Sequence, residues 1–444
     1  MKYPRRNGSR ALVVLSCMGF SVAVGCQTPA APAADGSFQL AMIPDTQNYV
    51  DYTHQRDAGF ALDASELFIE QMAWIAANSE PRGGDIVFVA AVGDVWQHQS
   101  EAVDAEHAAR GAGAAESSPM GDHFAPTPKT RTVEIPKAIE GYRRIAATGL
   151  PFGVAPGNHD YDAMWGLETF PPNLDKDPSE FEMADLGMLH VGGLDNFRSA
   201  FGDDSEFFRG QSWYVASFRG GANSAQVFEA GGYRFLHFAL EMSADDEVLA
   251  WVESVLARYP DTPTILSTHD YLDSRGRRAG NPIIDLAAGD PGYHNSAEEI
   301  WADLIARNDD IFLVLCGHHH GQAFRTDLNE SGHEVYQMLA DFQDRGQVGI
   351  DAGQPLDPFI RGPVGIGDGW FRLLEFDLAA STPILRVRTY STHYKQLSGA
   401  LPTYAAWYRE HEQPDMTDVE FLEADAFEVE LVDFRKRFGE PNAQ

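Results

Sequence analysis

Five short apolar runs in this chain are each followed at once by residues that bind metals or move protons. After residues 38 to 44 come Asp45, Thr46 and Gln47, and after 85 to 92 come Gly93 and Asp94. Gly157, Asn158, His159 and Asp160 follow the run 151 to 156, and His269 and Asp270 follow 263 to 268. The fifth run, 311 to 316, leads into Gly317, His318, His319 and His320. Carboxylates, amides and imidazoles, with no cysteine needed, make a mixed oxygen and nitrogen ligand set that suits Mn, Fe or Zn rather than an iron–sulfur cluster. There are more ligands than one ion needs. Two divalent ions about 3.5–4 Å apart would use them all and would suit in-line displacement at phosphorus.

Residues this far apart in sequence can meet only if the elements carrying them converge. The five runs read as buried strands, and "ASELFIEQMAWIAANS" (64 to 79), "EVLAWVESVLARY" (247 to 259) and "SAEEIWADLIARN" (296 to 308) read as amphipathic helices, the last with Ser296 as N-cap. Strands alternating with helices predict an α/β core, and in such a core the carboxyl ends of the strands open onto one crevice. Further strand-like pieces at 212–218, 233–241, 333–339, 370–377 and 384–391 predict either a second sheet or a long extension of the first. Residues 99 to 132, rich in Ala, Gly, Ser and Pro, read as a loop insertion.

Bulk properties limit what this core can serve. The chain has 444 residues, 44% hydrophobic and 22% charged, ample for a large core. A net charge of −33 argues against general nucleic-acid binding. Residues 1–26 carry Lys2, Arg5, Arg6 and Arg10 ahead of a short apolar stretch, the pattern of a secretory signal, which places the mature protein in the cell envelope or outside the cell. Cys26 after Ala23-Val24-Gly25 resembles a bacterial lipoprotein lipidation site, with "VLSC" ending at Cys17 as a competing site and plain secretion as the alternative. In the lipidated case the anchor is the chain's one route to a membrane. Residues 27–37 then form a flexible linker, 38–400 the catalytic domain and 401–444 an acidic extension expected to dock on it. Only Cys316 is left in the folded body, which excludes a disulfide framework.

Taken in order, "DTQ", "GDVWQ", "GNHDYD", "THD" and "GHHH" resemble the blocks of the calcineurin-like metallophosphoesterase superfamily, and the wording is similar to a bacterial secreted or envelope branch. The resemblance implies a sandwich of two mixed β-sheets flanked by helices, with a dinuclear metal site at the strand ends. It assigns Asp45 and His320 to the first metal, Asp94 to the bridge, and Asn158, His269 and His318 to the second. His159 lies beside the phosphate, where it stabilises or protonates the leaving oxygen; its alternative is to orient Asp94. Gln47 stands where the family has histidine, either as an oxygen ligand or as a hydrogen-bond partner of a metal-bound water. The implied reaction is hydrolysis of a phosphate monoester or diester by a metal-bridging hydroxide. The substrate class is a small-molecule, phospholipid-type or nucleotide-type phosphate ester.

Several residues outside the blocks are weaker candidates. Tyr161 follows the third block and either lines the pocket or caps the next turn. Arg345, Trp370 and Arg372 are offered for phosphate or substrate contact, against the alternative that an arginine in an acidic protein serves a surface ion pair. His98, His107 and His123 are histidines that can approach the site or simply be solvated. By strand alternation, His318 and His320 should face the crevice together with His319 turned away as a spacer. The competing function is a non-catalytic, divalent-metal-binding envelope lipoprotein; a zinc peptidase is discounted because no H-E-x-x-H helix is present.

Overall fold

The computed structural model describes residues 37–113, 125–170, 172–173, 175–176, 185, 187–357 and 361–441. The signal, Cys26, most of the linker and His123 lie outside the described residues, as does the middle of the 99–132 insertion. Among the described residues no helix is long and apolar enough to cross a membrane.

The five apolar runs form strands. In chain order the strands are β1 (Phe38–Ile43), β2 (Ile86–Ala91), β3 (Phe152–Val154), β4 (Ala163–Gly166), β5 (Leu189–Gly192), β6 (Tyr214–Phe218), β7 (Asn223–Ala230) and β8 (Tyr233–Ala239). They continue with β9 (Thr264–Ser267), β10 (Ile311–Cys316), β11 (Gly321–Leu328), β12 (Glu334–Asp341), β13 (Trp370–Asp377), β14 (Ile384–Ser391), β15 (Gln396–Leu397) and β16 (Phe427–Glu430). The later pieces divide between two sheets rather than extending one. The first sheet runs β15-β14-β13-β1-β2-β3, with β16 also on β14, and the second runs β11-β12-β10-β9-β8-β7-β6. β4 and β5 pair as a separate ribbon. In the first sheet β1, β2 and β3 are parallel; in the second β8, β9, β10 and β12 are. The remaining partners are antiparallel, so both sheets are mixed.

The inner faces of the sheets share one core: Leu40 and Met42 of β1, Phe88 of β2, Phe235 of β8, Leu313 and Leu315 of β10, and Leu374 and Phe376 of β13. Parallel strands buried on both faces read as continuous apolar runs, which is why these were legible. The outer face of the second sheet is covered by the helix Asp246–Leu256 and the helical segments Ala297–Ile300 and Trp301–Ile305. Ser296 caps the start of Ala297–Ile300 as expected, its side chain accepting from the Glu299 amide. Helices Ala64–Ala77 and Ile135–Ala146 pack together on the first sheet, where Trp74 meets Phe371 and Tyr390 edge-on or tilted. Tyr404, Tyr408, Phe421, Leu431 and Phe434 of the extension join the inter-sheet core, so the tail is docked. Because β1, β2, β3, β9 and β10 each lie parallel to a neighbour within their sheets, their carboxyl ends carry the five polar blocks to one edge of the sandwich.

Candidate metal centre

The polar blocks meet at closely spaced buried atoms. Asp94, His269 and His318 each offer a ligand atom within 4.8 Å of the others. His269 Nε2 lies 3.2 Å from Asp94 Oδ1, 3.0 Å from Asn158 Oδ1 and 3.9 Å from Asp45 Oδ2. Its Nδ1 lies 2.9 Å from the Val92 carbonyl oxygen, which as acceptor holds the Nδ1–H tautomer and turns the Nε2 lone pair toward the carboxylates. Asp94 divides its oxygens: Oδ1 accepts from the His159 amide at 2.9 Å and faces His269, while Oδ2 accepts from Gln47 Nε2 at 3.0 Å. That two-sided placement is what a bridging carboxylate requires.

Tight backbone makes this convergence possible. Asp94 and His318 adopt left-handed φ values of 51° and 73°, uncommon for residues with a side chain and typical of sites held by their surroundings. Gly93 has φ 116°, and a Cβ there would stand 2.6 Å from His269 Nδ1. A Cβ on Gly317 would stand 2.1 Å from Asp45 Oδ1, so the glycines of both blocks are demanded by close approach.

The electrostatics are those of a site built around positive charge. Burial opposes charge on His269, but Asp94 and Asp45 overcome it and push its pKa up to about 10. Burial also opposes charge on Asp94, yet His269 and His159 hold its carboxyl well below the usual range. Burial, Asp341 and Asp94 raise Asp45, and burial pushes His318 down to about 3. Asp45 Oδ1, Gln47 Oε1, His318 Nε2 and Asp341 Oδ2 are buried without a hydrogen-bond partner. Each such atom costs about 1–3 kcal/mol unless something else satisfies it. Oxygen and imidazole lone pairs gathered in one crevice are the donor set that divalent cations take, so these residues fit a metal centre.

The calcineurin-like phosphoesterase family model matches residues 60–322, and these contain four of the five blocks. The chain belongs to the calcineurin-like phosphoesterase family. It is also 28% identical over 256 residues to an uncharacterised protein, YvnB, of Bacillus subtilis (strain 168); the match covers 56% of this chain and 15% of that protein's length. Among solved structures it is similar to a dimetal phosphatase from Danio rerio, at 13% identity and a TM-score of 0.36, over 79% of this chain and 95% of that one.

Within this calcineurin-like phosphoesterase chain the three consecutive histidines separate differently from the alternation expected of a strand. β10 stops at Cys316, and the left-handed turn at His318 ends the extended geometry on which alternation depends. His318 points inward, its ring 4.9 Å from that of His269. His319 is no idle spacer: its Nε2 lies 3.1 Å from Asp270 Oδ1. His320 is 44% exposed and pairs with Asp344 and Gln343 instead of facing the crevice beside His318. Gln343 in turn contacts Gln47, so Asp94, Gln47, Gln343 and His320 form one chain of contacts on this side.

The offered substrate contacts turn inward. Arg345 is fully buried, donates to both carboxylate oxygens of Glu412 at 2.8 and 3.0 Å, and lies over the Phe342 ring. Arg372 is fully buried in β13 and donates to the Ala424 carbonyl at 3.2 Å. Trp370 is fully buried and donates from Nε1 to the Tyr408 hydroxyl at 3.1 Å. Trp370 and Arg372 tie the tail to the first sheet and Arg345 ties it to the loop after β12, which corrects the expectation that the three touch substrate. Tyr161 is buried as well. His159 does lie at the centre: Nε2 is 4.0 Å from Asp94 Oδ2, and Nδ1 is 2.6 Å from the Gln97 carbonyl.

Two residues, Asp341 and Gln343, went unread in the sequence, and Asp160, read as part of its block, was given no role. Asp341 ends β12, which runs parallel to β10, so the strand-end rule that found the five blocks would have found a sixth. Gln343 lies two residues on. Asp160 braces the loops, accepting from the Val95 amide at 2.9 Å and the Gly157 amide at 2.8 Å; burial and Asp94 push its pKa up to about 8.

Proposed function

We propose that this chain hydrolyses a phosphate monoester or diester at the strand-end centre. The observation that carries the reading is the set of buried, unpartnered ligand atoms on Asp45, Gln47 and His318 around the carboxylate of Asp94. Asp45, Gln47 and Asp94 would hold one divalent ion, and Asp94, Asn158, His269 and His318 the other. When bound, such ions supply Lewis acidity toward a phosphoryl oxygen and a nucleophilic water at neutral pH.

The chain's own groups do the rest. Val92 and Gln97 carbonyls fix the tautomers of His269 and His159 through their Nδ1 atoms. His159, tethered through its amide to Asp94, is placed to give a proton to the departing oxygen. Mn, Fe and Zn all match the donor set, and the substrate is a small-molecule, phospholipid-type or nucleotide-type ester. The signal-like N-terminus supports export, with Cys26 as the lipidation position.

The test is turnover of an aryl phosphodiester and an aryl phosphomonoester with added Mn or Zn, in the wild type and in Asp94→Asn. Metal-dependent hydrolysis lost in the variant is expected. No metal-dependent turnover across a broad panel of phosphate esters overturns the reading in favour of a metal-binding envelope lipoprotein.

A further inference from the structure

A second group of metal-ligating side chains lies away from the residues assigned to the strand-end centre. His107 Nε2 and His190 Nε2 face each other at 2.8 Å, and Asp290 Oδ2 lies 3.6 Å from the first and 3.8 Å from the second. We propose that His107, His190 and Asp290 form a separate zinc-type divalent-cation site that clips together the three segments leaving the strand-end centre.

The geometry fits. A tetrahedral ion with bonds of about 2.0–2.1 Å sets its ligand atoms about 3.4 Å apart, and the three observed separations bracket that value. Both Asp290 distances are too long for hydrogen bonds, yet they are nearly equal, so the carboxylate oxygen forms the third corner of a triangle and not the end of a chain. His107 Nδ1 lies 2.7 Å from Asp104 Oδ2, the carboxylate–histidine arrangement that holds a ligating imidazole in its Nδ1–H tautomer and leaves the Nε2 lone pair outward. Asp104 is itself fixed by capping the helix Ala105–Ala109. Gly192 admits this pair: a Cβ there would stand 2.0 Å from Asp104 Oδ2 and 2.6 Å from His107 Nδ1.

His190 is 1% exposed, and its Nδ1 has no partner. Trp165 closes the group edge-on to both rings. Arg110 donates to Asp290 Oδ2 at 2.9 Å, and a carboxylate, with about four lone-pair sites, can serve an arginine and an ion together.

The placement gives the site a role. His107 lies in the short helix Ala105–Ala109 within the segment that follows Asp94, His190 on β5 in the segment that follows Asp160, and Asp290 in the segment that follows Asp270. One ion would tie all three, fixing the walls around the centre without touching its ligands.

Zinc retained after gel filtration, and zinc-induced thermal stabilisation, should be measured on the full chain carrying Asp94→Asn and His269→Gln. This background is expected to keep one zinc equivalent and a zinc-dependent rise in Tm, and adding His107→Gln should abolish both. Asp290→Asn, which leaves both imidazoles in place, is expected to weaken that zinc at least tenfold. Equal zinc content and equal affinity with and without these changes would show a proton shared between two histidines, and would overturn the proposal.

Discussion

Asp94 and His159 are neighbours to which the proposed mechanism gives different duties. Asp94 presents one oxygen to His269 and the other to Gln47, so Asp94→Asn should lower both metal content and turnover. His159→Gln should leave metal content unchanged while turnover falls about 10²–10⁴-fold, the usual contribution of a placed proton donor. Metal analysis beside turnover separates these; loss of metal in His159→Gln would make it a ligand. Gln47 has its carbonyl oxygen buried and unpartnered and its amide nitrogen on Asp94. If that oxygen takes the first ion, Gln47→Ala should weaken metal binding by at least about tenfold, a loss that even an outer-shell partner brings about. Unchanged affinity by titration would leave Gln47 as a brace for Asp94 alone.

At the scale of elements, the tail is held by a buried ion pair. Arg345 and Glu412 are both shielded from water, and Glu412→Ala would strand the guanidinium among Tyr404, Tyr408 and Phe342. Breaking such a pair costs about 3–5 kcal/mol, to be read from chemical denaturation, and an unchanged midpoint would mean that the tail contributes nothing to stability. The same elements show what a sequence can and cannot reveal. The parallel strands β1, β2, β3, β9 and β10 were legible because burial on both faces makes apolar runs. β7, "NSAQVFEA", was not, because Asn223, Ser224 and Gln226 are buried polar groups that look like loop. Helix Ile135–Ala146 escaped although Ala138, Gly141, Tyr142 and Ile145 recur at helical spacing, since a glycine and small residues dilute the apolar signal. Candidate ligands were legible where a strand ended in a recognisable block. The inward turn of Arg345 and Arg372 was invisible, because an arginine's partners are chosen by tertiary contact.

For the whole molecule, acid should be destabilising through histidines buried neutral. His237 is fully buried between Gln226 Oε1 at 2.7 Å and Ser267 Oγ at 2.8 Å, and burial pushes its pKa down to about 3. The unfolded chain regains an ordinary histidine pKa of about 6.5, so between these values the unfolded state binds the extra proton. Its contribution is therefore present above about pH 6.5 and is lost as pH falls toward 3, at up to about 1.4 kcal/mol per pH unit. Denaturation midpoints from pH 7 to 4 should fall less steeply in His237→Gln than in the wild type; identical slopes would contradict this.

The central claim is that the ends of β1, β2, β3, β9 and β10 hold two divalent ions. Anomalous diffraction from manganese-loaded crystals tests it most directly. The account predicts two anomalous peaks bridged by Asp94, one beside Asp45 and Gln47 and one beside Asn158, His269 and His318. Manganese bound elsewhere, with no peak within bonding distance of Asp94, would contradict it.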